Sequence, residues 1–169
     1  LRELEQLTRK LVDGLQEVIG PYTDIPAPDV NTNAQVMAWM MDQYSKYKGF
    51  SPAVVTGKPV GLHGSLGREA ATGRGVVMAL MDWLETAKRP IAGQRVAGQG
   101  CGNGGAWAAR LAAEQGARVI AVSDQGATVR NPEGLDAAAV VAHKAQTGSV
   151  KGFPGADTLP SAALIGTDC

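Results

Sequence analysis

The sequence predicts an α/β protein, and three observations carry that prediction. Short β-branched, apolar runs alternate with longer segments of helical period; glycines cluster at the junctions; and the stretch Arg95–Asp124 contains a strand, a glycine turn, a helix and a second strand in order. Within it, Arg95–Gln99 reads as a strand, and Gly100, Gly102 and Gly105 fall on a G-x-G-x-x-G spacing at the mouth of an Ala-rich helix running to about Gln115. Gly116 is a natural C′ residue, and Arg118–Ser123 follows as an apolar strand ending at Asp124.

Each glycine has a physical role. The first allows a tight turn, the second lets the backbone approach a pyrophosphate, and the third permits close packing of helix on strand. The helix N-terminus adds free N–H groups and partial positive charge for an anion. Asp124, about twenty residues beyond the turn, stands where an acid accepts hydrogen bonds from ribose hydroxyls. This is the pattern of a Rossmann-like dinucleotide-binding unit; the same turn also occurs in βαβ units that bind no ligand.

Taken from the start, Leu4, Leu7, Leu11, Leu15, Val18 and Ile19 recur at helical spacing, so residues 1–19 form an amphipathic helix stopped by Gly20-Pro21. Pro26 and Pro28 hold the next segment extended. Asn31, Thr32 and Asn33 are candidate caps for a helix ending at Gly49, with Val36, Met37, Met40 and Tyr44 as a core stripe. Residues 51–67 read as a Gly/Pro-rich connecting loop, with one brief strand at Ala53–Val55 as an option. A helix follows after Thr72, with Val76, Val77, Leu80, Met81 and Leu84 as its expected buried stripe. After Asp124 come a polar turn, a helix from about Leu135 to Thr147, a Gly/Pro loop, and a possible strand start at Leu164-Ile165.

Composition narrows the function classes. The 169 residues carry no formal net charge, so neither nucleic acid nor an anionic membrane surface is an expected partner. The two cysteines, Cys101 and Cys169, have no disulfide or metal-ligand spacing, and His63 and His143 read as loop or surface residues, so no metal is expected. A reducing, cytoplasmic setting is the expectation, and the chain, which begins at Leu1 and not at Met, reads as a fragment.

Eight stretches together resemble the glutamate dehydrogenase family, within the wider group acting on glutamate, leucine, phenylalanine and valine. They are GPYTDIPAPDVNTN (Gly20–Asn33), MAWMMDQYS (Met37–Ser45), PAVVTGKP (Pro52–Pro59), GREAATGRGV (Gly67–Val76), GQGCGNGG (Gly98–Gly105), AVSD (Ala121–Asp124), NPEGLD (Asn131–Asp136) and KAQTGSVKGFPGA (Lys144–Ala156). The resemblance implies reversible oxidative deamination of L-glutamate to 2-oxoglutarate and ammonia, with NAD or NADP as hydride carrier, in proteins that are usually homo-hexamers. It implies that Asp29 is the catalytic aspartate exchanging protons with the amino group. It also implies that Arg68, Thr72, Asn103 and Gly104 join Gly100, Gly102, Gly105 and Asp124 around the cofactor, Thr72 near the nicotinamide amide. An acid at 124 favours NAD by the ribose argument, although some family members with an acid there use NADP.

The resemblance further implies a division into residues 1–59, the end of a substrate and dimerisation domain with its connecting loop, and residues 60–169, a truncated NAD(P)-binding domain with an incomplete parallel sheet. The family's catalytic lysine belongs to an upstream glycine-rich segment with no counterpart here, so the chain alone is expected to be inactive. Gly98 and Gly104 stand where an apolar residue is common, Cys101 where phenylalanine is usual, and His63 where glycine is usual. A non-catalytic nucleotide-binding module and a related amino-acid dehydrogenase of different substrate are the alternatives. Cys101 at a helix start is either a reactive thiol or a packing substitution.

Overall fold

The computed structural model describes residues 1–169, which form two compact units, Leu1–Glu69 and Ala70–Cys169. In the first, helices α1 (Arg2–Leu15) and α2 (Ala34–Lys48) pack together over a core of Val12, Ile19, Met37, Met40 and Tyr44, closed by Val54 and Val55. The α2 stripe is buried as its spacing predicts, and Asn33 is the cap: its side-chain oxygen accepts from the amides of Gln35 (3.0 Å) and Val36 (3.2 Å).

The expected α1 stripe is mostly not the buried one. The helix ends at Leu15, and of the six residues only Ile19 is buried and Leu15 partly so, while Leu4, Leu7, Leu11 and Val18 are exposed and Thr8 and Val12 are buried instead. One neighbouring helix covers a narrow arc of α1, and that arc is set by Val12. The run Ala53–Val55 is no strand: Pro52–Val54 is a 3-10 turn that drives Val54 and Val55 inward.

In the second unit, α3 (Ala71–Thr86) leads to β1 (Arg95–Gly98), α4 (Asn103–Glu114) and β2 (Arg118–Ser123). β1 and β2 are parallel, joined through α4 as the motif predicts, and Gly116 ends the helix at φ +90°. The sheet then departs from expectation. The polar turn after β2 is a hairpin: β3 (Thr128–Arg130) runs antiparallel to β2, and β4 (Asp157–Leu159) antiparallel to β3, giving the order β1-β2-β3-β4. Helix α5 (Ala137–Thr147) lies between β3 and β4 in sequence and is capped by Asp136, which accepts from the Ala139 amide at 3.0 Å. Ser161–Leu164 is a 3-10 turn, so no strand begins at Leu164.

Helix α4 is covered on two sides. Ala109 faces a core with Val119, Val122, Val129, Val140 and Val150, while Leu111 and Ala112 pack with Val77 of α3. Within the α3 stripe Val77 and Leu84 are buried but Val76 and Met81 are exposed. The reason is the crossing of α3 on α4, which is made by a glycine. A Cβ on Gly73 would lie 2.5 Å from Trp107 Cβ, 2.6 Å from the Ala108 nitrogen and 2.8 Å from the Gly104 carbonyl oxygen. The contact arc therefore runs through residues 73 and 77.

These contacts set a graded expectation. Gly73→Ala and Gly105→Ala, the latter placing a Cβ 2.0 Å from the Gly100 carbonyl oxygen, should each destabilise the second unit. The loss should be at least about 2 kcal/mol. Gly98→Ala, whose nearest neighbour would be the Ala121 carbonyl oxygen at 4.0 Å, should be neutral or stabilising. The gain would be about 0.5 kcal/mol. Urea unfolding followed by the fluorescence of Trp83 and Trp107 measures all three.

Candidate functional site

The residues expected at a cofactor site converge where α3 and α4 begin. Gly100 leaves β1 at φ +90°, a conformation that disfavours side chains, and its carbonyl oxygen lies against Gly105, where no Cβ fits. Gly102 is the N-cap of α4 and carries no side chain to cap it, so the opening of the helix has no capping side chain of its own. Asn103 and Gly104 form the first turn. Thr72, in the first turn of α3, sits beside them: a Cβ on Gly104 would lie 3.3 Å from the Thr72 methyl carbon. The structure thus brings Thr72, Gly100, Gly102, Asn103, Gly104 and Gly105 into one patch on the second unit.

Gly102 differs from its neighbours. Its backbone, at φ −79° and ψ −168°, is open to any residue, and a Cβ there would meet nothing within 4 Å. As an N-cap, glycine is outranked by serine, asparagine or aspartate, and packing does not require it here. A ligand lying against the helix opening accounts for it, because a side chain there would occupy the ligand's space. The positive potential of a helix end and a clear approach to Gly102 fit a pyrophosphate.

Asp124 is placed at the end of β2 as expected, but its carboxylate faces inward, with 6% of the side chain exposed. One oxygen accepts from the amides of Gly126 (2.8 Å) and Ala127 (3.0 Å) and from the Ser149 hydroxyl (3.2 Å). The other accepts from the Val150 amide at 2.7 Å and faces the Lys144 ammonium at 3.5 Å. Burial alone would raise the carboxyl pKa, but the bonds from Val150, Gly126, Ala127 and Ser149 outweigh it and hold the value at about 2. A carboxylate engaged in this way differs from the free ribose acceptor that the spacing predicts. The partners are backbone amides up to 26 residues away, which no spacing rule reveals.

Cys101 is buried in the sheet-facing core, and burial pushes its thiol pKa up, opposed by Lys144. That is a packing residue, not an activated thiol. A groove of about 460 Å³ elsewhere on the second unit is lined by Met78, Met81, Leu84, Arg89 and Ile91 among others, and by none of the expected cofactor residues.

In the first unit Asp29 is exposed on a rigid turn. Its amide donates to the Thr32 hydroxyl oxygen at 2.6 Å, and its carbonyl accepts from the Thr32 amide (3.0 Å) and hydroxyl (2.9 Å). Asn31 holds the turn at φ +59°, and Asn33 then caps α2. The Pro26-Ala27-Pro28 segment is braced from behind. Thr56 donates its amide to the Pro26 carbonyl at 3.0 Å, and a Cβ on Gly57 would strike the Pro28 ring at 2.4 Å. Arg68 is exposed at the start of the 3-10 turn Arg68–Ala70, which runs directly into α3. His63 adopts φ +66°, which accounts for a glycine preference there, and its ring meets Phe50 edge-on at 5.7 Å.

Comparison with known proteins identifies the family. The family model described as Glutamate/Leucine/Phenylalanine/Valine dehydrogenase matches residues 63–169, and that described as Glu/Leu/Phe/Val dehydrogenase, dimerisation domain, matches residues 1–46. A hetero-hexameric glutamate dehydrogenase from Thermus thermophilus, in a Leu-bound form, is 42% identical at TM-score 0.87 over 93% of this chain and 37% of its own. Glutamate dehydrogenase from Peptoniphilus asaccharolyticus is 36% identical at TM-score 0.70, over 88% of this chain and 40% of its own. Plasmodium falciparum glutamate dehydrogenase is 25% identical at TM-score 0.86, over 95% and 36%. The chain spans less than half the length of each of these solved structures. With the glycine turn, the α3–α4 crossing and both family models in agreement, the chain belongs to the Glu/Leu/Phe/Val dehydrogenase family.

Proposed function

We propose that this chain is the cofactor-binding part, with the end of the substrate domain, of an NAD(P)-dependent glutamate dehydrogenase. The observation that carries the reading is Gly102: a glycine at the N-cap of α4 that packing does not require, with open space beyond it. Gly100, whose amide donates to the Ser123 hydroxyl oxygen at 3.4 Å, shapes the turn. Gly102, Gly104 and Gly105 offer backbone amides to the pyrophosphate with Asn103 beside them, and Thr72, beside Gly104, and Arg68 border the same cofactor. The bound cofactor supplies the hydride acceptor for oxidation of the substrate at Cα. Asp29, rigid on its Thr32-closed turn, exchanges protons with the substrate amino group.

Glutamate as substrate rests on the PAPDVNTN stretch and on the relatives, which are glutamate dehydrogenases. The match of residues 1–46 to a dimerisation domain supports assembly of the parent protein into an oligomer, and we extend this to the family's hexamer. Residues 1–59 belong on this reading to the substrate domain and 60–169 to the cofactor domain. Proton transfer and substrate grip in the family also use lysines with no counterpart among the 169 residues, so these residues bind cofactor without turning over.

Two outcomes follow. Gly102→Val should leave the chain folded, lowering the unfolding midpoint by no more than about 5 °C as valine replaces a favourable N-cap. It should weaken NAD and NADP binding by at least about a hundredfold in calorimetric titration, equivalent to about 2.7 kcal/mol. Retained affinity in a folded variant would show that the turn does not hold the pyrophosphate. The purified 169-residue chain, given glutamate and either nucleotide, should show no nicotinamide reduction above a blank. A sustained rise would show that these residues suffice for the chemistry.

A further inference from the structure

The acid at the end of β2 is engaged on every side by its own chain. Its amide donates to the Ala127 carbonyl at 2.8 Å, its carbonyl accepts from the Ser161 hydroxyl at 2.5 Å, and its carboxylate takes the four hydrogen bonds and the Lys144 ion pair described above. An ionised carboxylate has about four lone-pair positions. Here they are filled by donors from three places: the hairpin turn between β2 and β3, the end of α5, and the loop that follows it. Bonds from amides to an ionised oxygen are among the stronger ones in a protein, and most of these donors are backbone groups fixed by the hairpin and the helix end.

We propose that Asp124 is a positioning residue that clasps the Ser149–Val150 loop and the Gly126–Ala127 turn onto the end of β2, and that it neither binds the adenosine ribose nor selects NAD over NADP. The discrimination argument from an acid at this position requires a bare, outward carboxylate that accepts a 2′-hydroxyl and repels a 2′-phosphate. This carboxylate is neither bare nor outward. The facing ammonium of Lys144 offsets its charge, and the nearby Cys101 thiol is neutral, its pKa raised by burial, so no net negative charge guards the position. The low carboxyl pKa of about 2 agrees with donors already in place before any ligand binds. The selectivity part of the proposal rests on the dinucleotide reading of the glycine turn; the clasp does not.

The test uses the unaltered chain and two variants. In the nitrogen-15-labelled chain without nucleotide, the amide protons of Gly126, Ala127 and Val150 should be protected from solvent exchange, and they should stay protected at saturating NAD. Asp124→Asn should lower the unfolding midpoint of the nucleotide-free chain while changing the NADP to NAD affinity ratio by less than about threefold. Ser149→Ala should act in the same sense but more weakly, and it carries the measurement if the asparagine variant does not fold. The depressed pKa also fixes a pH signature. The native-state value lies below the ordinary 3.8, so the stabilisation is fully present above about pH 4 and is lost as pH falls toward 2. The stability gap between the unaltered chain and Asp124→Asn should therefore be constant above about pH 4 and close below it.

A ratio shifted about tenfold or more toward NADP with nucleotide-free stability unchanged would overturn the proposal, as would loss of Val150 amide protection on adding NAD. If the unaltered chain binds neither nucleotide, the dinucleotide reading fails, and amide protection with the pH signature still decides the clasp.

Discussion

The second unit depends on two places where backbone approaches backbone too closely for any side chain. Gly73 lets α3 settle onto α4 at Trp107 and Ala108, and Gly105 lets the start of α4 press against the Gly100 carbonyl. Interiors pack densely enough that one added carbon at either point must move a helix. Because Gly73 also touches the Gly104 carbonyl oxygen, the contact that closes the core aligns the first turns of the two helices. Thr72 and the glycine turn are neighbours for that reason. The site is therefore a consequence of the packing, built from helix starts held by the sheet and by each other.

Within the turn Gly102 differs from Gly100 and Gly105 in that neither packing nor backbone conformation requires it. Positive φ explains Gly100 and close approach explains Gly105, while Gly102 has ordinary dihedrals and empty space ahead of it. In the first unit the same logic of tight backbone contact positions Asp29, since Gly57 lies against the Pro28 ring and Thr32 closes the turn. Each unit thus presents its candidate residue on a stretch whose conformation is determined by hydrogen bonds and glycine contacts. A loop held this way has little backbone freedom to lose on binding.

Much of this was legible in the residues. Strand β2 occupies Arg118–Ser123 as read, α4 opens and closes at its glycines, and Asn33 caps α2, because these features rest on local rules of period, φ sign and capping. What was not legible depends on long-range partners. Strands β3 and β4 have three residues each, set among Gly, Pro and Asn, too short for an alternation to register. The exposure of Leu7, Leu11 and Val76 follows from which arc of a helix meets its neighbour, and an apolar period alone does not say how wide that arc is. Asp124 is the sharpest case: its position was predicted and its surroundings were not, because four of its five side-chain partners are backbone amides or a hydroxyl, groups that every sequence offers everywhere. No helix is long and apolar enough to cross a membrane.

On the proposed reading a dinucleotide binds at the opening of α4. The direct measurement is a titration of NAD into the nitrogen-15-labelled chain, following the amide resonances of Asn103, Gly104 and Gly105 beside those of Met81 and Ile91 in the groove on α3. A dinucleotide held at the opening of α4 gives saturable shifts at the three helix-opening amides and none in the groove. Saturation with the helix opening unmoved, or shifts centred on the groove, would contradict that reading.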